Sequence, residues 1–372
     1  MKSRGVLQRV VVPAIAALAL LAFASTAAAA TPFWGVVPQS TPTSAQFQRL
    51  ERGGVGSIRI AIPWAAIQSS EGAAADWSSI DPLVKGAALA GVEVLPFLNG
   101  APGWAVEPVG VGGAAQAPKS LPVKTQAQRD AWAEFLRLAV ARYGPDGSLW
   151  AANPDLPKLP IRTWQIWNEE NFKYFVAQPS PGDYGKLVQI SHTALKDADP
   201  GARIVLGGLF ARPKEAEFKR QPPRAYFATD FLDQMYKRTP GIRSMFSGIA
   251  LHPYSYGYKE LTPEIESVRT VLKANHDAGK GIWITELGWS SGRPEATNGF
   301  NGYEKGRQGQ AHQLSGAFQL LSEKRRPWHL QRVFWFSLTD APGTCNFCDG
   351  SGLFGPGFVP KPAWQAFVKF AR

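Results

Sequence analysis

The stretch Trp164–Asn171 reads WQIWNEEN. It opens as an apolar strand and stops abruptly in Asn168, Glu169, Glu170 and Asn171. A short apolar run that ends in carboxylates and amides predicts a strand buried in a core whose C-terminal end opens into a polar cleft. A second run, GIWITE from Gly281 to Glu286, ends the same way. Two such strands can aim one carboxylate each at a shared point, provided that the chain between them brings their ends together.

Outward from this stretch, apolar runs alternate with helical patterns along the whole chain. The predicted strands are 33–37, 55–62, 92–98, 161–167, 203–208, 246–251, 282–285 and 333–338. Helical segments follow them. Thr43 or Ser44 caps the first, which ends at Gly53-Gly54. Further helices are expected near 80–90, after Thr125, and over 184–197, 228–238, 263–278, 308–323 and 363–370. Trp132, Phe135, Leu136, Ala139, Val140 and Tyr143 step by three and four, which gives that helix one apolar face. The strands are continuous apolar runs, as parallel strands buried on both faces require. Eight strand–helix units in this length predict an α/β fold, a closed (β/α)8 TIM barrel with its site at the C-terminal strand ends. An open doubly wound sheet is the alternative, and no GxGxxG follows the first strand to support it. The loop 103–121, rich in Gly, Pro and Ala, is a long excursion after the third strand.

The first residues stand apart from this pattern. Lys2, Arg4 and Arg9 precede an apolar run, Val10 to Phe23, and Ala28-Ala29-Ala30 matches a small-residue cleavage site. Residues 1–30 therefore read as a signal peptide, with cleavage near Ala30, and 31–372 as one catalytic domain of an exported, extracellular protein. The apolar run is short for a full membrane span, and no later stretch is long and apolar enough. Removing Lys2, Arg4 and Arg9 lowers the formal charge from +11 to +8. The basic residues are scattered, so the charge reads as a solvated surface and not as a nucleic-acid interface. Cys345 and Cys348 lack the further ligands that zinc requires and sit in a Gly-rich loop, so an exported chain predicts a small disulfide there.

On the barrel, the residues that close the strands share one face: Arg59, Asn99 with Trp104 beyond it, Asn168 and Glu169, His252 and Tyr254, Glu286, and Trp335. Two carboxylates flanking one bond are what glycoside hydrolysis needs, one protonated to release the leaving group and one ionised to attack. Arg59 would hold the attacking carboxylate ionised, and aromatic rings offer faces to sugar C–H surfaces.

This order of NE, HxY, E and W at strands 4, 6, 7 and 8 resembles glycoside hydrolase clan A, across nearly the whole of 31–372. WNEEN is similar to the WNEPN of the family 39 branch. Ile58 to Trp77 and the APGWA around Trp104 look like that branch and its family 5 relatives. The resemblance implies Glu169 as acid/base and Glu286 as nucleophile of a retaining glycosidase that needs no metal or organic cofactor. It implies Asn168 on the sugar 2-hydroxyl, Tyr254 on the nucleophile with His252 beside it, and Trp335 as the floor of the sugar site. Trp104, Phe172, Tyr174, Tyr256 and Trp289 lie on the same loops as further candidate contacts. One departure is Glu170, where the family has Pro; with Asn171 it reads as a loop-surface residue. The expected partner is a poly- or oligosaccharide acted on by a monomer. A transglycosylase on the same barrel, and a barrel that binds glycans without cutting them, are the alternatives. Intact carboxylates at both strands speak against the second.

Overall fold

The computed structural model describes residues 32–107, 113–212, 219–293, 302–343, 345 and 347–372. The expected signal segment 1–30 and part of the 103–121 loop lie outside them.

Eight parallel strands close into a barrel in sequence order. They are β1 (Trp34–Val37), β2 (Ser57–Pro63), β3 (Glu93–Asn99), β4 (Thr163–Ile166), β5 (Arg203–Phe210), β6 (Gly248–His252), β7 (Gly281–Leu287) and β8 (Leu330–Phe336). Closure is made by β1 against β8, with Trp34 opposite Val333 and Val37 opposite Phe336. The main helices are α1 (Ser44–Arg52), α2 (Asp81–Leu89), α3 (Gln126–Tyr143), α4 (Pro181–Ala198), α5 (Ala228–Arg238), α6 (Leu261–Ala274), α7 (Gly306–Glu323) and α8 (Pro362–Ala371). The fold is a (β/α)8 barrel, spanning one compact unit from Pro32 to Arg372. Among the described residues no helix is long and apolar enough to cross a membrane.

Local sequence explains the helix starts. Thr43 and Thr125 each accept from the backbone N–H three residues on, and Gln46 and Gln128 reach back to the cap. Such reciprocal caps satisfy N–H groups that the first turn leaves without partners. Ser180 caps α4 just before Pro181, whose missing N–H costs nothing at that position.

The hydrophobic core has two parts. A large one lies between strands and helices. A small one fills the barrel interior with Val37, Leu95, Val205, Ala250, Trp283 and Phe334, and Phe336 packs on it. Phe334 and Phe336 therefore point inward. Trp335, between them, points outward, where its ring meets Phe318 of α7 edge-on at 6.4 Å. The expected last strand, 333–338, begins three residues earlier, at Leu330. A strand buried on both faces carries no alternation in polarity, so its sequence does not say which side chains face in.

Two adjacent glycines in β5 shape the upper barrel. A Cβ at Gly207 would lie 2.0 Å from Glu170 Oε2, and one at Gly208 would lie 1.9 Å from His252 Nε2. The pair leaves room on one side of the strand for a carboxyl and on the other for an imidazole.

Candidate active site

The chain after β4 breaks the strand rule that successive side chains alternate. Trp167 and Glu169 both adopt positive φ, 70° and 42°. Such conformations cost on the order of 1–3 kcal/mol each and persist only where the surroundings fix them. Here Trp167 N–H donates to Leu98 O at 2.8 Å, and its indole N–H donates to Phe175 O at 2.9 Å. The double twist turns Asn168 and Glu169 together into the mouth of the barrel. It sends Glu170 the other way, under Gly207.

Arg59 organises the centre. It is fully buried, and its guanidinium donates to Gln165 Oε1 at 2.8 Å, Glu286 Oε1 at 2.7 Å and Asn168 Oδ1 at 2.5 Å. Its Cζ lies 4.0 Å from the centre of the Phe97 ring. Tyr254 donates its hydroxyl to the other oxygen of Glu286 at 2.9 Å. His252 is fully buried, with Nδ1 2.9 Å from Glu169 Oε1 and Nε2 3.0 Å from Thr285 Oγ1. One oxygen each of Glu169 and Glu286 and one nitrogen of His252 lie within 4.8 Å of one another. That spacing would suit a cation, but Arg59 already sets a positive charge against Glu286.

The two carboxylates differ in their surroundings. Burial pushes Glu169 well above the usual carboxylate range, and the negative charge of Glu286 adds to this, with Arg59 opposing. Burial raises Glu286 too, but there the Arg59 charge and hydrogen bonds from Tyr254 and Arg59 pull back. Glu286 is thus the member of the pair built to stay ionised, and Glu169 the one built to hold a proton. Burial, reinforced by Arg59, holds His252 well below its usual value, so its imidazole is neutral. A neutral ring can donate from one nitrogen and accept at the other, which suits a carboxyl on one side and a hydroxyl on the other.

These groups open into a cavity of about 580 Å³. Arg59, Asn168, Glu169, Tyr254 and Glu286 line it, as do Phe172 and Tyr174, while His252 supports Glu169 from behind the wall. Besides His252, five expected residues do not line it. Trp335 is fully buried, with its indole N–H donating to Ser351 O at 3.0 Å, and Phe336 takes the position expected of it. Trp104 donates to Gln68 O at 3.1 Å and packs edge-on against Trp64, anchoring its loop outside the barrel mouth. Asn99 closes β3 with its Oδ1 buried and without a partner, and Phe97, two residues earlier, takes the inward place. Trp289 is buried and donates to Ser255 O at 2.9 Å. Tyr256 is exposed and stands behind the cavity-lining Tyr303, 5.1 Å away between ring centres.

Glu170 and Asn171 are not surface residues. Both are fully buried. Asn171 clamps the end of β5: it accepts from Phe210 N–H at 2.9 Å and donates to Phe210 O at 2.8 Å and Tyr226 O at 2.7 Å. Neither oxygen of Glu170 has a hydrogen-bond donor. The neighbouring Tyr184 hydroxyl already donates to Ile166 O and accepts from Gly207 N–H. Burial pushes the Glu170 carboxyl up to about 8.

Sequence reasoning missed Phe97, Phe210, Phe336 and Phe347 in the cavity. Phe210 was within reach, since it ends a barrel strand, but the fifth run extends two residues past its expected end at 208. None of the 13 tryptophans lines the cavity. Cys345 and Cys348 pair with Sγ atoms 2.03 Å apart, and both stand at the cavity wall. Past Tyr174, a neighbouring cavity of about 500 Å³ is lined by Lys119, Lys173, Arg220 and Arg224.

No protein-family model matches the chain. None of the curated proteins matches it either. Solved structures do. A family 39 glycoside hydrolase from the gut symbiont Bacteroides cellulosilyticus WH2 aligns over 91% of this chain and 63% of its own, at 19% identity and a TM-score of 0.62. This chain thus spans less than two thirds of that protein. A monomeric beta-xylosidase from Caulobacter crescentus aligns over 91% of this chain and 68% of its own, at 19% identity and a TM-score of 0.58. An intracellular xylanase from Thermoanaerobacterium saccharolyticum aligns over 90% and 94%, at 16% identity and a TM-score of 0.58. At these identities the likeness is one of fold: the chain shares its (β/α)8 architecture with glycoside hydrolases, family 39 among them.

Proposed function

We propose that this protein is an exported, retaining glycoside hydrolase that acts as a monomer. The observation that carries the reading is the pair of buried carboxylates in one cavity, with Arg59 and Tyr254 bonded to Glu286 and neither bonded to Glu169. Glu286, ionised, attacks the anomeric carbon. Glu169, protonated, gives its proton to the leaving oxygen as the glycosidic bond breaks. The sugar is then held as an ester on Glu286. Glu169, now a carboxylate, takes a proton from water, and that water attacks the anomeric carbon and frees Glu286. Asn168, whose Oδ1 is engaged by Arg59, turns its amide nitrogen to the sugar 2-hydroxyl. His252 holds Glu169 in place.

The spacing supports retention. Inverting enzymes keep the carboxyl groups about 6.5–9.5 Å apart to admit a water between them, and retaining ones about 5–5.5 Å. Oxygens of Glu169 and Glu286 within 4.8 Å suit the retaining case. The presence of glycosidases among the fold neighbours supports the same reaction class. Export rests on residues 1–30 and agrees with a paired CxxC. A binding-only barrel has no use for carboxylates with opposed surroundings.

The decisive experiment treats the protein with 2-deoxy-2-fluoro glycosides bearing good leaving groups and locates the adduct by peptide mass spectrometry. A sugar ester on Glu286, with the β-anomer formed first from a β-glycoside, is the expected result. Labelling elsewhere, or inverted product, overturns the mechanism. Added acceptor alcohols separate hydrolysis from transfer by the products formed.

A further inference from the structure

The cavity is not uniform. Around Glu286 it offers Arg59, Asn168 and Tyr254, enough polar groups to hold a sugar ring, with Phe97, Phe336 and Phe347 packed against them. Around Glu169 it offers rings. The turn after Glu169 supplies Phe172, Tyr174 and Phe175, and the end of β5 adds Phe210. Phe172 and Phe210 stack in parallel, 5.1 Å between centres and 10° between planes. Tyr174 meets Phe172 edge-on at 4.8 Å and is 59% exposed, so its hydroxyl belongs to the mouth and not to the wall.

The group that protonates a leaving oxygen must sit beside it. The leaving group therefore lies along the wall that carries Phe172 and Phe210. A second sugar placed there brings a hydroxyl on nearly every carbon. Each hydroxyl buried without a partner costs about 1–3 kcal/mol, and among the described residues Phe172, Phe175 and Phe210 present rings on this wall and no polar side-chain atom. An aromatic ring brings no such debt and gains from offset or edge contact with the rings present.

We infer that the leaving-group side of this cavity is built for an aromatic aglycone, so that the substrates are glycosides of aromatic alcohols or phenols. The inference rests on the glycosidase reading above. The wall is also pre-set. Asn171 bonds both the N–H and the C=O of Phe210, which fixes the ring that faces Phe172. Asn171 is thus a positioning residue. The same eight-residue stretch that carries Glu169 also carries the clamp that holds the neighbouring ring of its aglycone wall. On cleavage, the glycosidic oxygen leaves with the Glu169 proton as the free aromatic alcohol, and the sugar passes to Glu286 and then to water.

The test compares methyl, cyclohexylmethyl and benzyl glycosides with a disaccharide and a uronic-acid oligosaccharide of matching non-reducing sugar, over a panel of sugars. Benzyl and methyl leaving groups are close in acidity, so the comparison isolates binding from leaving-group chemistry. The expected kcat/KM order puts benzyl first, ahead of methyl and of the disaccharide by on the order of tenfold or more. Phe210→Ala and Asn171→Ala reduce the benzyl-to-methyl ratio by about tenfold, mostly through KM. Phe210→Leu, which keeps an apolar side chain of similar bulk, does the same should the alanine variants melt early. A disaccharide or acidic oligosaccharide preferred over benzyl overturns the inference while leaving the glycosidase intact. So does equal use of benzyl and cyclohexylmethyl. Absence of cleavage for every compound, together with no sugar ester on Glu286, overturns both readings.

Discussion

Glu286 and Glu170 are both buried carboxylates on the barrel, and the protein treats them in opposite ways. Glu286 receives Arg59 on one oxygen and Tyr254 on the other. Glu170 receives nothing on either. Between them sits Glu169, with neutral His252 as its neighbour. Burial raises all three, and at Glu169 the charges of Glu286 and Glu170 add to it. What separates them is the supply of donors and positive charge, and that supply decides which carboxyl can attack, which can donate, and which is a silent passenger. A raised carboxyl in a barrel is thus no sign of catalysis until its hydrogen bonds and its access to the cavity are counted.

The sharpest way to break the comparison is at Glu286. Glu286→Gln keeps the shape and one acceptor but removes the attacking charge. Turnover is expected to fall on the order of 10⁴-fold or more while the melting curve persists, read by initial rates and circular dichroism. An active variant sinks the assignment.

At Glu169 the effect depends on the substrate. Glu169→Ala should slow glycosides of poor leaving groups by about 10²–10⁴-fold and those of nitrophenols far less, since the latter need little protonation. The alkaline limb of the pH profile, which reports loss of the Glu169 proton, should disappear with it. Equal loss across both leaving-group classes would assign the proton to another residue.

Arg59→Met strips Glu286 of its nearest positive charge. The Glu286 carboxyl then rises further, so the acid limb of kcat/KM moves to higher pH. An opposite charge nearby is worth about 1–3 pH units to a carboxylate, so the acid limb should move up by about that much, with activity lost below it and recovered on raising the pH. A profile unmoved along the pH axis would mean that Arg59 does not hold Glu286 ionised.

Glu170→Gln is the mildest and touches stability alone. The folded carboxyl titrates near 8 against an ordinary value of 4.5. Below 4.5 both folded and unfolded chains hold the proton, and there is no cost. As pH rises, the unfolded chain gives up its proton first, and stability falls until the folded carboxyl ionises near 8. The wild type should lose on the order of a few kcal/mol across that window relative to Glu170→Gln, seen as diverging thermal midpoints. Parallel midpoints from pH 5 to 8 would show that Glu170 finds a partner.

The comparison also shows how much was legible before folding. Glu169, Glu286, Asn168 and Tyr254 stand out because they follow apolar runs, and Arg59 because it interrupts one, and the structure gathers them in one cavity. Trp335 and Trp104 mislead for the same reason that the rings which do line the cavity stay hidden. In strands buried on both faces, inward and outward residues are equally apolar, so Phe336 and Trp335 look alike along the chain. Glu170 and Asn171 read as loop surface because a pair of charged and amide residues after a strand is usually solvated. Only the positive φ of Trp167 and Glu169 and the space left by Gly207 turn them inward.

The order of apolar runs and helix caps by itself determined the eight-unit barrel, since burial on both faces and capping are local demands written residue by residue. Tertiary structure alone decided which of two adjacent glutamates meets the cavity. It also decided that the cavity is walled by phenylalanine and not tryptophan. Those outcomes depend on a two-residue twist and on side-chain register around a closed barrel, and such long-range constraints leave no period in the sequence.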